Sequence, residues 1–470
     1  MRILKSIVKT LCPAALLLAF AAVSCAQTLK LPSHEKIVLK NGLTLLIMEK
    51  HGVPIVSFNA IVKAGSAADP ADQAGLAGVT AGLLRKGSQK RTAQQFASDL
   101  DFIGGSFDAG SDVDYTTISA EFLTKDLDRG LDLLGDAVLH PAFPQAEVDK
   151  LLAQSVDGVK AAKDQADAVI FNYYEGYLYG AHPYARPGGD ELSLKKIQRD
   201  AIVKFYQTYY VPSNTILAVA GEFNSAELKR KLEDTLGAWP AKAAPAVNIP
   251  ATAVVKEKRL LLVDKPDATQ TYFVIGNVGV TANDPDRVAI RVVNTAFGGT
   301  FASLLNTALR IDSGYTYGAN SFFQNQKAAG PFAIYSFTKN ETTVPAIDLA
   351  LKVLADLQKK GLTAAQLDTA KKYIKGQFPP RIETSGQLAA RIATSEFYGL
   401  DDDEINQLET RIDGVTLESA KQVIEKHFPK ENMVFVLIGK ASEIGSAVKK
   451  YAEKQDERKI SEPGFWPPAK

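Results

Sequence analysis

Residues 75–88 read GLAGVTAGLLRKGS, an apolar run that predicts a short helix. If this helix extends from Ala74 to Arg85, positions 78, 81 and 82 share one face, because residues three and four apart coincide at 3.6 residues per turn. Gly78, Ala81 and Gly82 occupy that face. Their hydrogen and methyl side chains can neither bind a metal ion nor activate water, and each interior glycine costs roughly 1 kcal/mol of helix stability.

The same stretch resembles the segment GLAHFLEHMLFKGT of the pitrilysin/insulinase-type peptidases, in which the inverted motif HxxEH holds a zinc ion. In this alignment the two histidines of the motif fall on Gly78 and Gly82, and the glutamate falls on Ala81. The resemblance therefore implies a family member without its hydrolytic centre. Identical residues fix the register at Gly75, Leu76, Ala77, Leu84, Lys86 and Gly87.

The third zinc ligand of the family is a glutamate on a later helix, in the pattern LxEMQEVETNxQEVVFDY. Alignment of VVFDY with VIFNY, residues 169–173, places that ligand on Gly158. All four active positions then carry small residues without a donor atom. The resemblance implies no catalytic residue, no metal and no cofactor in this chain, with zinc expected in a partner subunit.

The spacing of the histidines offers no replacement metal site. None of them has a second histidine, or a glutamate three residues later, at the spacing of a metal motif. We expect single structural or surface histidines, of which the last lies at a helix C-terminus, where a positive charge suits the dipole. The histidines are His34, His51, His140, His182 and His427.

Residues 297–323 read FGGTFASLLNTALRIDSGYTYGANSFF and resemble the C-terminal segment GGSFSSRLFQELREKRGLAYSV of the same family. In two-chain members this segment supplies an arginine and a tyrosine, seven residues apart, that hold the substrate backbone. Arg310 and Tyr317 have that spacing, and Tyr315 is the alternative tyrosine. The resemblance implies that this guanidinium and phenol donate hydrogen bonds to the carbonyl oxygens of an extended peptide.

The N-terminus has the order of a secretory signal, because Arg2, Lys5 and Lys9 precede an apolar run at residues 11–23 that ends in small residues. We expect a signal peptide at residues 1–26 and therefore a secreted, periplasmic protein. The alternative is a lipoprotein anchored through Cys25, and only then do we expect membrane attachment. Since the chain has two cysteines and both precede residue 27, no disulfide is expected in the mature protein.

Composition gives no electrostatic argument for a nucleic-acid partner, and we expect none. Without residues 1–26, 51 of the 54 basic residues remain and face 53 acidic ones, a net charge of about −2. Such a balance lacks the overall positive charge that is typical of nucleic-acid-binding domains. The apolar content of 46% and the charged content of 23% are ordinary for soluble globular proteins.

Two segments of the chain repeat one pattern, FYQTYYVPSNTILAVAGEF at 205–223 and VIEKHFPKENMVFVLIGKA at 423–441. Each reads as a helix end, a turn and an apolar strand, and the shared offset of 218 residues predicts two similar domains. We place the N-terminal domain at 28–238 and the C-terminal domain at 252–455. A low-complexity linker at 239–251 joins them, and a tail at 456–470 follows.

Local patterns predict an α+β fold in each half. Residues 36–48 hold two apolar runs around Asn41-Gly42, a hairpin signal. Residues 344–357 have helical spacing, and Thr363 with Gln366 forms a capping box for the next helix. We expect two homologous domains, each a mainly antiparallel sheet packed with helices on one face, and the resemblance implies half of a peptidase clamshell.

The preferred hypothesis is a non-catalytic, substrate-binding subunit of a secreted heterodimeric zinc metallopeptidase, similar to the alpha-type partner of the processing peptidases. A sister subunit with an intact HxxEH motif would supply zinc and water, while this chain supplies Arg310, Tyr317 and half of the peptide chamber. Extended peptides would bind as an added strand at a sheet edge. The alternatives are a structural scaffold or peptide-binding protein with no role in proteolysis, and a lone enzyme with a relocated metal site.

Overall fold

The computed structural model describes residues 30–465, which form two six-stranded sheets with helices between the strands. The strands are β1 (Glu35–Val38), β2 (Thr44–Glu49), β3 (Ile55–Val62), β4 (Ser106–Ser111), β5 (Thr116–Leu123), β6 (Thr215–Gly221), β7 (Arg259–Asp264), β8 (Gln270–Val278), β9 (Ala319–Phe323), β10 (Pro331–Lys339), β11 (Val434–Gly439) and β12 (Lys454–Lys459).

The helices of the first half lie mainly between β3 and β7. They are α1 (Leu76–Leu83), α2 (Ala93–Phe102), α3 (Leu127–Leu139), α4 (Gln145–Ala162), α5 (Ala166–Tyr179), α6 (Glu191–Leu194), α7 (Arg199–Tyr209) and α8 (Ser225–Leu236).

The helices of the second half follow the same order relative to its strands. They are α9 (Arg287–Phe297), α10 (Leu304–Asn306), α11 (Thr343–Lys360), α12 (Ala364–Gln377), α13 (Ser385–Tyr398), α14 (Asp403–Asn406), α15 (Leu408–Asp413), α16 (Leu417–His427) and α17 (Ala441–Val448). A π-helical turn at Thr307–Asp312 continues α10.

The two sheets share one strand plan. The first has the order β1-β2-β6-β3-β5-β4, and the second has the order β12-β7-β11-β8-β10-β9. Parallel pairing occurs between β2 and β6, between β7 and β11, and between β7 and β12, and the other pairs are antiparallel. The repeated segments of the sequence become β6 and β11, the third strand of each sheet. The predicted α+β fold of two mainly antiparallel sheets is confirmed.

The central strands are buried on both faces because side chains alternate along a strand. In β6, Ile216, Ala218 and Ala220 face one hydrophobic cluster, while Leu217 and Val219 face another. All residues of β6 and of β11 are buried. Such continuous apolar strands need helices on both sides of the sheet, so helices on one face cannot complete the core.

Each half supplies the helix that covers the second face of the other sheet. Helix α13, from the C-terminal half, packs on β3 and β6 of the first sheet. Helix α5, from the N-terminal half, packs on β8 and β11 of the second sheet. On the first face of each sheet lie helices of the same half, as expected. On the second face lies the helix exchanged from the other half, α13 on the first sheet and α5 on the second.

Helix α5 contacts the second sheet through a row of buried tyrosines. The Tyr174 hydroxyl donates a hydrogen bond to the Phe332 carbonyl oxygen at 2.9 Å, and its side chain is fully buried. The Tyr177 hydroxyl donates to the Asp456 carboxylate at 2.7 Å. Hydroxyl groups that would be costly to bury alone therefore find partners across the boundary between the halves.

Several local predictions are confirmed by the structure. The hairpin around Asn41-Gly42 is the antiparallel pair β1 and β2. The two predicted helices are α11 and α12, and the Thr363 side chain caps α12 together with Gln366. Residues 237–258, which include the linker predicted at 239–251, contain no helix or strand.

The C-terminal sheet extends further than the sequence pattern predicts. The predicted tail at 456–470 begins inside β12, which pairs with β7. Its sequence, KQDERK, lacks the apolar alternation of a half-buried strand, because β12 is the last strand of its sheet and exposes most of its side chains. Charged side chains on an edge strand also oppose pairing with another chain.

The predicted signal peptide at 1–26, its lipoprotein alternative at Cys25 and the last residues of the tail lie outside the described residues. Within residues 30–465, no helix combines the length and the apolar character that crossing a bilayer requires.

The contribution of the exchanged helix to stability can be measured at Tyr174. We expect Tyr174→Phe to lower the free energy of unfolding by about 1 kcal/mol, because one buried hydrogen bond is lost. Tyr174→Ala should lower it by about 3–5 kcal/mol, because a cavity opens between α5 and the second sheet. Urea unfolding followed by far-UV circular dichroism measures both. Tyr373→Ala is the control, since that ring is 45% exposed, and a Tyr174→Ala cost no larger than the control would contradict the role of α5.

Candidate functional site

Helix α1 begins with a backbone conformation that only glycine adopts without strain. Gly75, its N-cap, has φ 100° and ψ −6°. A Cβ atom at this position would lie 2.7 Å from Leu194 Cδ2 and 2.8 Å from the Gly188 carbonyl oxygen. The start of the motif segment is therefore fixed by the backbone geometry of Gly75 and by its packing against α6 and the loop before it.

The carboxylate of Asp69 caps α1 from outside the helix. It accepts hydrogen bonds from the Gly75 N–H at 2.8 Å and from the Ala77 N–H at 2.9 Å. Burial raises the pKa of Asp69 to about 7, although these backbone donors favour the charged form. The helix that carries the zinc motif in the family thus keeps its anchoring here.

The three motif positions of α1 lie where the sequence predicts. Gly78 and Gly82 are half-buried and Ala81 is buried. A Cβ atom at Gly78 would meet nothing within 4 Å, and one at Gly82 would approach only Leu151 Cδ2, at 3.3 Å. Within the described residues, close packing does not account for the glycine at 78.

The fourth position, Gly158, lies on helix α4, which packs against α1. Leu151 of α4 approaches Gly82, and Gly158 follows two turns later on the same face of α4. Gly158 is exposed, and a Cβ atom there would meet nothing within 4 Å. The structure therefore places all four positions on two packed helices, and none of them offers an oxygen, nitrogen or sulfur donor. These residues do not fit a zinc ion.

The segment that carries Arg310 is a tight turn beside the second sheet. Arg310 lies in the π-helical turn, and its Cζ atom is 4.6 Å from the centroid of the Phe301 ring. This cation–π contact holds the guanidinium against a ring that is 63% exposed. No carboxylate of residues 30–465 pairs with Arg310.

The two candidate tyrosines differ in their surroundings. Tyr317 is 78% exposed. Tyr315 is half-buried and packs against the core of the second half, and its carbonyl oxygen accepts a hydrogen bond from Thr338 Oγ1 at 2.7 Å. Of the two side chains, that of Tyr317 is the more exposed. Whether Arg310 and Tyr317 bind a peptide backbone remains a prediction.

One histidine-containing cluster was not predicted from the sequence. Asp284, Asp286 and His427 place possible ligand atoms within 4.8 Å of one another. Asp286 Oδ2, however, lies 2.8 Å from His427 Nε2 and 2.7 Å from Lys426 Nζ, and these two groups lower the pKa of Asp286. A metal ion would have to displace the lysine, so the cluster acts as an ion-pair network at the end of α16. Sequence spacing could not reveal it, since Asp286 and His427 are 141 residues apart.

A buried carboxylate joins the two halves beside α5. Asp114, 3% exposed, accepts hydrogen bonds from the Tyr184 hydroxyl at 2.5 Å and from the Lys327 N–H at 2.6 Å. The Tyr184 hydroxyl in turn accepts from the Ala328 N–H at 2.9 Å, and the Tyr398 hydroxyl donates to Asp114 at 3.3 Å. Burial raises the pKa of Asp114 against these donors. No local motif marks this residue, because its partners lie 70 or more residues away, and Lys327 and Tyr398 come from the other half.

Comparison with protein families matches both halves of the chain. Residues 45–188 match the family described as Insulinase (Peptidase family M16), and residues 196–374 match the one described as Peptidase M16 inactive domain. The chain belongs to peptidase family M16. The description as an inactive domain belongs to the match of the second half. The four positions without zinc ligands lie in the first half of this M16 protein.

Relatives of this M16 protein are named as zinc proteases. The Uncharacterized zinc protease YmxG of Bacillus subtilis is 23% identical over 393 residues, which cover 83% of this chain and 95% of that protein. The Uncharacterized zinc protease ML0855 of Mycobacterium leprae is 25% identical over 398 residues, which cover 83% of this chain and 89% of that protein. Those names describe the relatives, whereas α1 and α4 of this chain lack zinc ligands at the aligned positions.

Solved structures confirm the fold of two M16 clamshell halves. The peptidase M16 inactive domain from Pseudomonas fluorescens superposes with a TM-score of 0.82 at 25% identity, covering 87% of this chain and 98% of that one. A protease from Helicobacter pylori superposes with a TM-score of 0.79 at 20% identity, covering 87% of this chain and 100% of that one. The second similarity is evidence for the fold alone.

Two glycines of α1 should respond to alanine in opposite directions. We expect Gly75→Ala to lower the free energy of unfolding by about 1–3 kcal/mol, because alanine is strained at positive φ and would contact Leu194. Gly78→Ala should raise it by about 0.5–1 kcal/mol, because the position is helical and open. Equilibrium unfolding of the two variants beside wild type measures the difference. A loss at Gly78→Ala would show that this space is occupied in solution.

The cap of α1 makes stability depend on pH. Between about pH 4 and pH 7 the folded protein binds more protons at Asp69 than the unfolded chain does, so its contribution to the free energy of unfolding decreases as the pH rises. The variant Asp69→Asn cannot ionise at this position. The free energy of unfolding of wild type, minus that of the variant, should therefore decrease as the pH rises across this range. Chemical denaturation at four pH values from 5 to 8 tests this. The exposed neighbour Asp72→Asn is the control, and an Asp69→Asn difference that is constant with pH would refute it.

Proposed function

We propose that this M16 protein is a non-catalytic, substrate-binding subunit of a secreted heterodimeric zinc metallopeptidase. The observation that carries the proposal is the complete absence of donor atoms at Gly78, Ala81, Gly82 and Gly158, on helices that otherwise keep the family arrangement. Hydrolysis then depends on a sister subunit with an intact HxxEH motif, which would hold the zinc ion. This chain would add the second half of the peptide chamber.

The role of substrate binding rests on Arg310 and Tyr317. Arg310 has no carboxylate partner in the described residues, and the Tyr317 ring extends into solvent. Both side chains can donate hydrogen bonds to the carbonyl oxygens of a peptide, which a purely structural subunit does not need. Their contact with substrate is the part of the proposal most open to test.

An edge strand supports the binding of an extended peptide. β4 is the last strand of the first sheet. The outer edge of such a strand presents backbone N–H and C=O groups that an added strand can pair with. Pairing of this kind depends little on the sequence of the peptide, which suits a peptidase chamber.

Secretion belongs to the same proposal. The charged, apolar and small-residue order of residues 1–26 supports export to the periplasm, with the lipoprotein anchored through Cys25 as the alternative. A sister subunit would have to occupy the same compartment. Soluble and lipid-anchored forms differ in the mass of the mature N-terminus, which intact-protein mass spectrometry measures.

The proposal predicts activity that requires both chains. We expect the isolated chain to contain less than about 0.1 zinc ions per molecule and to cut no peptide, since its site lacks ligands. Co-expression with an HxxEH-bearing M16 chain of the same genome should give a complex that hydrolyses a quenched fluorescent peptide library. In that complex, Arg310→Ala and Tyr317→Phe should each lower kcat/KM by about 10²-fold, because each removes a donor to the substrate.

Matched variants separate a role in binding from a structural one. Arg230→Ala and Tyr373→Phe change an exposed arginine and tyrosine elsewhere, and we expect unchanged kcat/KM. Size-exclusion chromatography and zinc analysis should give the same complex for all variants. Full activity after replacing both Arg310 and Tyr317 would favour a scaffold without a role in proteolysis. Chelator-sensitive cleavage by the isolated chain, with one zinc ion bound, would overturn the proposal.

A further inference from the structure

A cavity of about 500 Å³ lies where the two halves meet. Its walls come from α9, β9 and α13 of the second half and from the turn between β4 and β5 of the first half. This volume is within the ordinary range of a small-molecule site, about 300–1,000 Å³. The cavity therefore has room for a small ligand, and the groups on its walls indicate which kind.

Two polar atoms on one face of α13 are shielded from solvent and have no partner. Arg391 Nε and Ser395 Oγ each lack a hydrogen-bond partner within residues 30–465, and both residues line the cavity. They are four residues apart, so they lie on the same face of the helix. Ser395 is only 7% exposed. Buried polar groups are ordinarily hydrogen-bonded, so this pair is an exception that a bound ligand would remove.

A second guanidinium lines the same cavity from α9. Arg291 is half-buried, and its side chain has no hydrogen bond, ion pair or ring contact within the described part of the chain. Burial lowers the pKa of Arg291 and of Arg391, and repulsion from Arg381 and Arg391 lowers that of Arg291 further. Two positive charges from different helices therefore share one cavity without a direct counter-ion.

The carboxylates of the cavity wall do not neutralise its arginines. Glu404 favours the charged form of Arg291 and Arg391, but its hydrogen bonds come from two other arginines. Arg287, which also lines the cavity, donates from Nε to Glu404 Oε1 at 3.1 Å, and Arg411 donates to Glu404 Oε2 at 2.8 Å.

The second carboxylate of the wall, Asp112, is exposed and accepts a hydrogen bond from the Val113 N–H at 2.5 Å. The three arginines of the wall, together with Arg411, outnumber the two carboxylates. The cavity therefore carries an excess of positive charge even when Glu404 is ionised.

The neighbouring polar side chains are already paired. The Ser321 hydroxyl donates to Asn294 Oδ1 at 2.7 Å, and Asn294 Nδ2 donates to the Ser321 carbonyl oxygen at 2.9 Å. The Thr394 hydroxyl donates to the Ala390 carbonyl oxygen, within α13, at 2.8 Å. These contacts leave two guanidinium groups and the Ser395 hydroxyl as donors for a ligand.

Guanidinium and hydroxyl donors together recognise an oxyanion. An arginine binds a carboxylate or a phosphate through two parallel hydrogen bonds, and such charge-assisted bonds are roughly twice as strong as neutral ones. Neither a cation nor a neutral ligand would offset the repulsion between the two guanidinium groups. An anion between them would also give a partner to Arg391 Nε and to Ser395 Oγ.

We propose that Arg291, Arg391 and Ser395 form a binding site for a small oxyanion, a carboxylate or a phosphate group. The ligand would link α9 to α13 beside a contact between the halves, where the centroids of the Tyr115 and Phe397 rings are 4.9 Å apart. The site does not depend on the proposed substrate role. Its consequence is a stability of the folded chain that increases when the anion is bound.

Calorimetric titration of the full mature chain tests the site with inorganic phosphate and with succinate, each in chloride buffer of constant ionic strength. Succinamide, the neutral diamide of succinate, is the ligand control. We expect saturable binding of at least one anion with a Kd below about 1 mM, and no binding of succinamide. The comparison of phosphate with succinate identifies the group that the site accepts.

Variants of the three donors provide the decisive comparison. Arg291→Gln and Arg391→Gln should each weaken anion binding at least about tenfold, because each removes a charge-assisted hydrogen bond. Ser395→Ala should weaken it about fivefold, because a neutral donor is lost. Arg230→Gln changes an exposed arginine of α8 and should leave the Kd unchanged.

Thermal unfolding supplies a readout that does not require a measurable heat of binding. Phosphate or succinate at about ten times its Kd should raise the Tm of wild type and of Arg230→Gln, because a ligand that binds only the folded state stabilises it. The Tm of Arg291→Gln/Arg391→Gln should not change. Far-UV circular dichroism shows whether this double variant is folded, and Ser395→Ala replaces it in the comparison if it is not.

Three results would overturn the inference. One is the absence of saturable anion binding to wild type, and another is equal affinity in wild type and in the cavity variants. The third is an equal rise of Tm in all of these proteins, because anions excluded from the surface stabilise folded proteins without a site. None of these results bears on zinc content or peptide hydrolysis, so the proposed function is tested separately.

Discussion

The two halves depend on each other because each sheet needs a helix that the other half supplies. β6 and β11 are buried along their whole lengths, so each of these central strands requires cover on both faces. Helices α13 and α5 meet this requirement across the boundary. The hydroxyl groups of Tyr174 and Tyr177 and the carboxylate of Asp114, which accepts from the Lys327 N–H, then fix the alignment with hydrogen bonds between the halves. Apolar burial thus holds the halves together, and buried polar contacts determine their relative position.

This arrangement explains how a peptidase scaffold persists after its metal ligands are gone. The cap of α1 by Asp69 and the left-handed Gly75 do not involve positions 78, 81, 82 or 158. Loss of donor atoms at those four positions therefore leaves the helices in place.

Much of the fold could be predicted because its signals are local. The Asn41-Gly42 turn, the apolar strands ending at Gly221 and Gly439, and the capping box at Thr363 each depend on neighbouring residues. β12 escaped prediction because an edge strand tolerates charged side chains in place of apolar alternation. The exchange of α5 and α13 was not predicted either, because the apolar face of an amphipathic helix does not specify which sheet the helix covers. For the site, the four altered positions follow from two local motifs, whereas the Asp114 network joins residues that are up to 284 positions apart.

The segment between α8 and β7 is a place where the backbone could be cut without separating the two halves. Residues 240–258 contain no helix or strand, while α5 and α13 remain embedded in opposite sheets. A single protease cut in this segment would leave two fragments that stay assembled as one particle, because each fragment contributes a helix to the sheet of the other. Neither fragment alone would have a complete core, so continuity of the backbone matters here for assembling the protein more than for keeping it assembled.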